Sequence, residues 1–332
     1  MVQSVMRFAG LFRLGRSAGS LALAGLVFSG AAAFPVSGQN MALPRAVLIT
    51  GASSGLGLRM AEVLSSRGFF VYAGARSADD LRRLDEMANV KSVRLDVTVQ
   101  SDIDAAVELV RSEGRGLYGL VNNAGVVVVG PLIEMPEEDM VFQLDVNLMG
   151  PYRVTKAFAP LLIESRGRVM NTSSLSGTVS GAFLGAYSMG KHGVEAFTDA
   201  LAAEMAGFGV AVGAVEPGNY RSQIVASMQE RMEAAGYTAE NSRYDRSMYD
   251  VFGGPPDRSN LPEPDAVAEA VADFMSTATP RRRYLVVPNQ REAEVTIRKA
   301  MEELVQLNGD QPFSYDRDEL IQMLDQALTR GG

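Results

Sequence analysis

AVLITGASSGLG, residues 46–57, is the stretch of sequence that decides the fold. A short apolar run is followed there by three glycines and then by residues with helical spacing. Glycine lets the backbone turn tightly and approach an anion closely, and the N–H groups at the start of a helix favour negative charge. The stretch therefore predicts a strand, a phosphate-binding turn and a helix, although an ordinary strand-to-helix turn has a similar composition.

Short apolar runs alternate with amphipathic segments along the rest of the chain. The predicted strands are 46–50, 69–75, 92–95, 117–121, 168–172, 210–215 and 284–287. The predicted helices are 57–66, 79–87, 101–112, 136–165, 187–207 and 264–276. Continuous apolar strands are typical of a parallel sheet that helices cover on both faces. The pattern predicts an α/β protein, a doubly wound fold with a seven-stranded parallel sheet.

Two regions depart from this alternation. Residues 219–262, with glycines and prolines at 253–256, are interpreted as a small helical substrate lid. Residues 291–332 are predicted to form a helical extension, whose second helix opens with the capping-box spacing of Asp316 and Glu319. The lid sequence is rich in methionine and aromatic residues, which predicts contact with an apolar small molecule. Amphipathic helices that only pack on the body of the protein would have the same composition.

The composition limits the chemistry of the protein. The 332 residues include 31 basic and 39 acidic side chains and 47% hydrophobic residues, as in an ordinary globular protein. The net charge of −8 argues against nucleic acid as a partner. Because the chain has no cysteine, thiol catalysis, disulfides and cysteine zinc sites are excluded. Because His192 is its one histidine, any site that needs two histidines is excluded as well. We expect no metal site.

Residues 1–40 differ from the rest of the chain. Three arginines precede a long uncharged stretch, and the first acidic residue is Glu62. A basic start followed by an apolar stretch is typical of a signal peptide or a membrane anchor. The alternative is that translation starts at Met41, shortly before the first predicted strand.

The residues after the second predicted strand bear on the choice of dinucleotide. A carboxylate at this place commonly binds the ribose hydroxyls of NAD, but this chain has Ala75, Arg76 and Ser77. A guanidinium and a hydroxyl can hold the 2′-phosphate of NADP, so we predict that NADP(H) is favoured. NAD(H) stays an alternative if Arg76 is only a solvated loop residue. Asp96 and Val97, after the third strand, are predicted cofactor contacts, although a strand-end aspartate is also a common turn residue.

Three polar residues predict a proton-transfer site. Tyr187 and Lys191 are four residues apart in a predicted helix, so their side chains share one face. Ser174 follows a predicted strand at the carboxyl edge of the sheet, where open α/β sheets bind their ligands. A tyrosine titrates near pH ~10, and a neighbouring cation stabilises its phenolate. A pair on the surface of a helix would show the same spacing.

Taken together, these motifs resemble those of the short-chain dehydrogenases/reductases over roughly residues 44–288. The resemblance is carried by the glycine loop, by residues 122–125, and by Asn147, Ser174, Tyr187, Lys191, Pro217 and Gly218. Residues 117–120 and 216–220 are similar to those of the retinol, hydroxysteroid and hydroxybutyrate dehydrogenases. The resemblance implies a Rossmann fold at 41–290 and an NAD(P)-dependent enzyme that interconverts an alcohol and a ketone or aldehyde.

The resemblance also implies residue roles. Tyr187 would be the general acid or base, Lys191 would stabilise its phenolate and bind the nicotinamide ribose, and Ser174 would orient the substrate oxygen. Asn147 would hold a water molecule for a proton relay. The implied cofactor contacts, besides Tyr187, Lys191 and the residues given above, are Gly51, Ser53, Ser54, Gly55, Leu56, Gly57, Asn123, Ala124, Gly125, Pro217 and Gly218.

The expected substrate is a small apolar alcohol or ketone. Four arginines of the lid segment keep a carboxylate substrate open: Arg221, Arg231, Arg243 and Arg246. The alternative function is a non-catalytic NADP(H)-binding regulator or scaffold. Similar proteins form dimers or tetramers, so a homodimer or homotetramer is implied. We expect a cytoplasmic protein, with membrane association through residues 1–40 as an option, because a secreted enzyme would need a supply of cofactor outside the cell.

Overall fold

The computed structural model describes residues 43–234, 236, 240, 242–244 and 260–330. The predicted N-terminal segment 1–40 lies outside these described residues. So do parts of the predicted lid, with the side chains of Tyr237, Arg246, Met248, Tyr249 and Phe252. The account below concerns the described residues.

Seven parallel strands form one sheet, with the order β3-β2-β1-β4-β5-β6-β7. The strands are β1 Ala46–Ile49, β2 Phe70–Ala75, β3 Val90–Arg94, β4 Gly119–Asn122, β5 Arg168–Thr172, β6 Ala211–Pro217 and β7 Arg283–Val286. The strand order reverses direction between β1 and β4, which opens a crevice at their carboxyl ends. The predicted doubly wound fold is confirmed.

Helices cover both faces of this sheet. The described α-helices are α1 Gly55–Ser66, α2 Ala78–Asp85, α3 Gln100–Ser112, α4 Glu137–Leu144, α5 Gly150–Ser165, α6 Gly185–Met205, α7 Ile224–Ala234, α8 Asp265–Ser276, α9 Gln290–Asn308 and α10 Arg317–Arg330. Neighbouring residues of a strand point to opposite faces, so Val47 and Ile49 of β1 pack with α1 and α8. Leu48 packs with α3, α5 and α6 on the other face.

The predicted single helix 136–165 is wrong, because it is interrupted. Helix α4 ends at Leu144, and a π-helical turn, Asp145–Met149, separates it from α5. Pro151 explains the interruption, since proline has no N–H to donate to the carbonyl of Asn147 four residues earlier. Single π-helical turns occur frequently at functional sites.

The C-terminal extension consists of α9 and α10. The predicted capping box is confirmed, because the N–H of Glu319 donates to Asp316 Oδ1 and the N–H of Asp316 donates to Glu319 Oε2, both at 2.9 Å. Both helices are largely exposed, with many apolar side chains at the surface. Within the described ranges, no helix has the length and apolar character needed to span a membrane.

Candidate active site

The glycine loop connects β1 to α1 in a conformation that requires its glycines. Gly51 and Gly55 have positive φ angles of 65° and 53°. A Cβ at Gly57 would lie 2.2 Å from the carbonyl oxygen of Gly51, so no larger residue fits there. The Ser54 side chain makes no cap hydrogen bond, and no acidic residue lies in the first turn of α1. The start of this helix therefore suits an anionic group such as a pyrophosphate.

The loop after β4 braces the glycine loop. Thr50 Oγ1 accepts hydrogen bonds from the N–H groups of Asn123 at 2.9 Å and Ala124 at 3.0 Å. Asn123 Nδ2 donates to the carbonyl of Gly51 at 3.1 Å. These bonds fix the distance between the two loops on either side of the crevice.

A cavity of about 800 Å³ lies at the carboxyl ends of the strands. The predicted site residues that line it are Gly51, Ser53, Ser54, Gly55, Leu56, Gly57, Arg76, Asp96, Val97, Asn123, Ala124, Gly125, Ser174, Tyr187, Lys191, Pro217 and Gly218. Two predicted residues, Ser77 and Asn147, are not among its lining residues. The cavity therefore brings the glycine loop and the Ser174, Tyr187 and Lys191 side chains together.

Lys191 is buried beside the ring of Tyr187. Its Nζ donates a hydrogen bond to the carbonyl of Thr172, the last residue of β5, at 2.8 Å. The same atom lies 5.6 Å from the centroid of the Tyr187 ring. Burial lowers the pKa of Lys191 to about 8, while the negative charge of Glu195 opposes this shift. The pKa of Lys191 is therefore closer to neutral pH than that of an exposed lysine.

Tyr187 and Ser174 both line the cavity. Burial raises the pKa of Tyr187, and the hydrogen bond with Ser174 lowers it in part. Ser174 follows β5, and its Oγ accepts a hydrogen bond from the N–H of Ser176 at 3.1 Å. The end of a strand and the first turns of α6 thus place two hydroxyl groups and an ammonium group on one wall of the cavity.

Asn147 is buried and uses its side chain to support the loop after β4. Its Oδ1 accepts from the N–H of Val126, and its Nδ2 donates to the carbonyl of Val126, both at 2.8 Å. Both ends of the side-chain amide are therefore occupied. Because Pro151 has no N–H, the main-chain carbonyl of Asn147 lacks the partner that an α-helix would give it.

Arg76 and Ser77 differ in how far their side chains are available to bind a ligand. The Arg76 side chain is 71% exposed, and its Nη1 lies 3.8 Å from Asp96 Oδ2. Ser77 caps α2, where its Oγ accepts from the N–H of Asp80 and donates to the Asp80 carboxylate. The Ser77 hydroxyl is therefore already engaged within the protein.

Asp96 is a turn residue as well as a cavity residue. Its Oδ1 accepts from the N–H of Thr98 at 2.9 Å and from its hydroxyl at 2.7 Å. Burial by itself would raise the pKa of Asp96, but these hydrogen bonds and the charges of Arg76 and Arg94 lower it. Asp96 therefore stays ionised beside Arg76.

Sequence reasoning missed Arg83, a second guanidinium near the glycine loop. Its Nη2 donates to the carbonyl of Ser53 at 2.6 Å and also pairs with Asp80 at 2.7 Å. The three-residue spacing from Asp80 indicated the ion pair but not the contact with the loop.

A buried acidic cluster behind Lys191 was also missed. Burial and the charge of Glu195 raise the pKa of Glu216 to about 7, and Arg283 opposes this shift. Arg283 Nε lies 2.9 Å from Glu195 Oε2 and 3.6 Å from Glu216 Oε1. Glu216 is in an apolar strand next to Pro217, which alone gave no indication of this cluster.

The far end of the cavity contains Arg231 of α7. Its guanidinium carbon lies 3.9 Å from the centroid of the Phe142 ring, and it forms an ion pair with the buried Asp139. Sequence analysis included Arg231 among four arginines of the lid segment without separating it from them. Among the other apolar side chains of the predicted lid that the structure describes, Met228 is buried, and Met232 and Tyr244 are half-buried. Phe183, which lies before α6, is buried and its ring packs against the ring of Tyr244.

Comparison with known proteins identifies the family. The sequence model for short chain dehydrogenases matches residues 45–233. Mitochondrial D-beta-hydroxybutyrate dehydrogenase of Bos taurus is 42% identical over 186 residues, which cover 53% of this chain and about half of that protein, 54%. The Rattus norvegicus protein of the same description is 34% identical over 72% of this chain and 76% of its own length. Human 17-beta-hydroxysteroid dehydrogenase type 6 is 36% identical over 72% of this chain and 79% of its own length.

Solved structures with the same fold contain either of the two nicotinamide cofactors. A short-chain dehydrogenase/reductase from Burkholderia phymatum in complex with NAD has a TM-score of 0.67 and 26% identity, covering 82% of this chain and 98% of that one. A variant of actinorhodin polyketide ketoreductase with NADPH has a TM-score of 0.61 and 31% identity, covering 73% and 95%. The chain belongs to the short-chain dehydrogenase family, in the branch of the hydroxybutyrate, retinol and hydroxysteroid dehydrogenases, and is an NAD(P)-dependent oxidoreductase acting on CH–OH groups.

Proposed function

We propose that this enzyme uses NADP(H) to interconvert a secondary alcohol and a ketone, or an alcohol and an aldehyde, with Tyr187 as the general acid and base. The observation that carries the proposal is the shared cavity wall of Ser174, Tyr187 and Lys191, opposite the glycine loop. A proton donor for the substrate oxygen must lie within reach of the dinucleotide. The bound nicotinamide supplies or accepts the hydride.

Tyr187 moves the proton in this scheme. In reduction its hydroxyl donates a proton to the forming alkoxide, and Ser174 holds the same substrate oxygen by a hydrogen bond. Lys191 acts through charge, because an ammonium group 5.6 Å from the ring centroid stabilises the phenolate that forms. Burial strengthens this effect because little water screens it.

Asn147 has a positioning role through its backbone. Its side chain is engaged by Val126, so a water molecule of a proton relay would be held by the main-chain carbonyl instead. Pro151 supports this assignment, since it removes the N–H that would otherwise occupy that carbonyl.

The preference for NADP(H) rests on the charges around the end of β2. Arg76 lines the cavity, and Arg83 contacts the glycine loop next to it. Two guanidinium groups favour a 2′-phosphate. Asp96 opposes them, because it lies near Arg76 and also lines the cavity. The preference is therefore expected to be moderate, with NAD(H) still bound. A cytoplasmic location and a homo-oligomeric state remain part of this proposal.

The experiment compares Tyr187→Phe with Tyr152→Phe, a control on α5. Both proteins are tested for NADPH binding by fluorescence and for turnover by nicotinamide absorbance with a panel of ketones and alcohols. We expect Tyr187→Phe to bind NADPH normally and to lose turnover by about a thousandfold, while Tyr152→Phe stays active. Full activity of Tyr187→Phe would contradict the proposal. Cofactor binding by the unmodified protein without turnover of any compound would favour the non-catalytic regulator.

A further inference from the structure

The half of the cavity opposite Arg76 has an apolar wall. Arg76 follows β2, whereas the far half is formed by the loop after β4, by α4 and by α7, which follows β6. Its apolar lining residues include Val127, Val129, Phe142, Ile224, Val225 and Met228. This is where a substrate would lie, beyond Tyr187, given the function proposed above.

Only cations are found among the described charged side chains that line this half. Lys191 lies at the centre of the cavity and Arg231 at the far end, whereas Asp96, the acidic lining residue, lies beside Arg76. A cleft with apolar walls and charges of one sign concentrates ligands of the opposite sign. The described lining of this half therefore favours an anion.

Arg231 is fixed in place by two neighbours. Its guanidinium stacks on Phe142 with 3.9 Å between the guanidinium carbon and the ring centroid. It also pairs with Asp139, whose side chain is only 5% exposed. A guanidinium has five N–H donors. Asp139 pairs with Nη2, and the Arg231 side chain stays 38% exposed. One carboxylate thus orients the group without satisfying it.

We propose that Arg231 binds a carboxylate of the substrate, so that this enzyme acts on hydroxy or oxo acids with an apolar body. A planar guanidinium held by stacking is suited to bidentate binding of a second carboxylate. A neutral, apolar substrate would instead cover guanidinium N–H groups that Asp139 does not use without offering them an acceptor, which is costly. The inference rests on the proposed oxidoreductase function and goes beyond it by naming the substrate class.

A competing role for Arg231 is purely structural, since the pair with Asp139 joins α7 to α4. The two roles differ in what they predict for neutral substrates. A structural link affects every substrate alike, whereas a carboxylate-binding group affects only the acids.

The test compares oxo acids with their methyl esters, which differ in charge but share the same reacting ketone. Binding to the NADPH complex of Tyr187→Phe is measured by calorimetry, so that the result does not depend on turnover. We expect each acid that binds to be held about 10- to 100-fold more tightly than its ester. Arg231→Met, which keeps an apolar contact with Phe142, should abolish this difference and leave ester binding unchanged.

Two further variants separate charge from folding. Arg231→Met combined with Asp139→Asn also removes the charge of the buried carboxylate and should behave like Arg231→Met alone. Asp139→Asn by itself breaks the link to α4 but keeps the cation, and should retain the preference for acids. Equal binding of acids and esters by the Arg231-containing protein, or equal losses for both in Arg231→Met, would overturn the inference. Absence of turnover in the unmodified protein, with the preference for binding acids intact, would contradict only the proposed function.

Discussion

Two tyrosine–lysine pairs with the same spacing lie on neighbouring helices, in very different surroundings. Tyr152 and Lys156 are on α5, and Tyr187 and Lys191 are on α6. The distance from Nζ to the ring centroid is 5.7 Å in the first pair and 5.6 Å in the second. Tyr152 is 43% exposed and Lys156 is exposed, whereas Lys191 is 5% exposed.

The four-residue spacing brings a cation close to a phenol in both helices, but it does not by itself make the pair reactive. Water screens the exposed pair, so the ammonium group has little effect on the phenol. In the buried pair, the Thr172 carbonyl orients the ammonium group and apolar surroundings leave it poorly solvated. The surroundings, and not the sequence interval, select the candidate acid and base.

The largest effect is expected when the lysine of each pair is replaced by methionine in turn. We expect Lys191→Met to lower turnover by about a thousandfold, because the phenolate of Tyr187 loses its stabilising charge. Lys156→Met removes the same charge from the exposed pair, and its turnover should stay within about twofold. Steady-state kinetics with saturating cofactor measure both. Similar losses of turnover in the two variants would contradict the claim that burial distinguishes the two pairs.

Burial also changes the pKa of an acid in the cluster of Glu195, Glu216 and Arg283, where the expected effect is on the free energy of unfolding. Glu216 has a raised pKa of about 7 in the folded protein. The folded chain therefore holds its proton more tightly than the unfolded chain does, and the associated stability is present at low pH and is lost as pH rises through 7. Glu216→Gln should remove this loss, which amounts to about 3 kcal/mol.

Denaturant unfolding at several pH values between 4.5 and 8 measures this effect. The exposed Glu204 of α6 provides the control, because Glu204→Gln should leave the pH dependence of the unfolding free energy unchanged. An unaltered pH dependence in Glu216→Gln would mean that Arg283 compensates the buried carboxylate fully.

A substitution of the exposed Arg76 should have a smaller effect than a substitution of the buried Lys191. Arg76→Asp is expected to shift the ratio of NADPH to NADH affinity towards NADH by about tenfold, because a carboxylate repels the 2′-phosphate and binds ribose hydroxyls. Arg82→Asp on the same side of the molecule is the control, since Arg82 is exposed and pairs with Asp79. An unchanged ratio in Arg76→Asp would leave Arg83 as the determinant.

The smallest expected effect concerns the pH profile of ketone reduction. In the proposed scheme, reduction needs protonated Tyr187 and charged Lys191, so the rate should fall as pH rises through about 8, the pKa of Lys191. Glu195 raises that pKa, and Glu195→Gln should move the fall to lower pH. Profiles of kcat/KM between pH 6 and 10 measure this shift. A shift to higher pH would contradict the assigned influence of Glu195.

The fold was predictable because its signals are local. The apolar runs of β1 and β2 are buried on both faces of a parallel sheet, and such runs can be recognised without knowing their neighbours. The glycine loop was predictable for the same reason, because Gly51 and Gly57 are required by backbone geometry within one turn. The break between α4 and α5 has a sequence signal in Pro151, but a proline alone does not locate a break, because Pro160 lies inside α5.

The remaining features depend on contacts between distant parts of the chain. Arg231 and Asp139 are 92 positions apart, and no pattern of spacing indicates their pairing. The contact of Arg83 with Ser53 likewise depends on how α2 packs beside the loop. Sequence spacing also fails to separate the two tyrosine–lysine pairs, because only the folded sheet shows which of them faces the cavity.

The hydrogen bond that holds Lys191 has a consequence for how this enzyme can be studied. Its acceptor belongs to the main chain of Thr172, and every amino acid would offer the same oxygen at that place. Scanning mutagenesis, which replaces one side chain at a time, would therefore keep the acceptor of this hydrogen bond and would not reveal its contribution. Its contribution would become visible only by chemical synthesis that replaces the peptide link itself, for example with an ester.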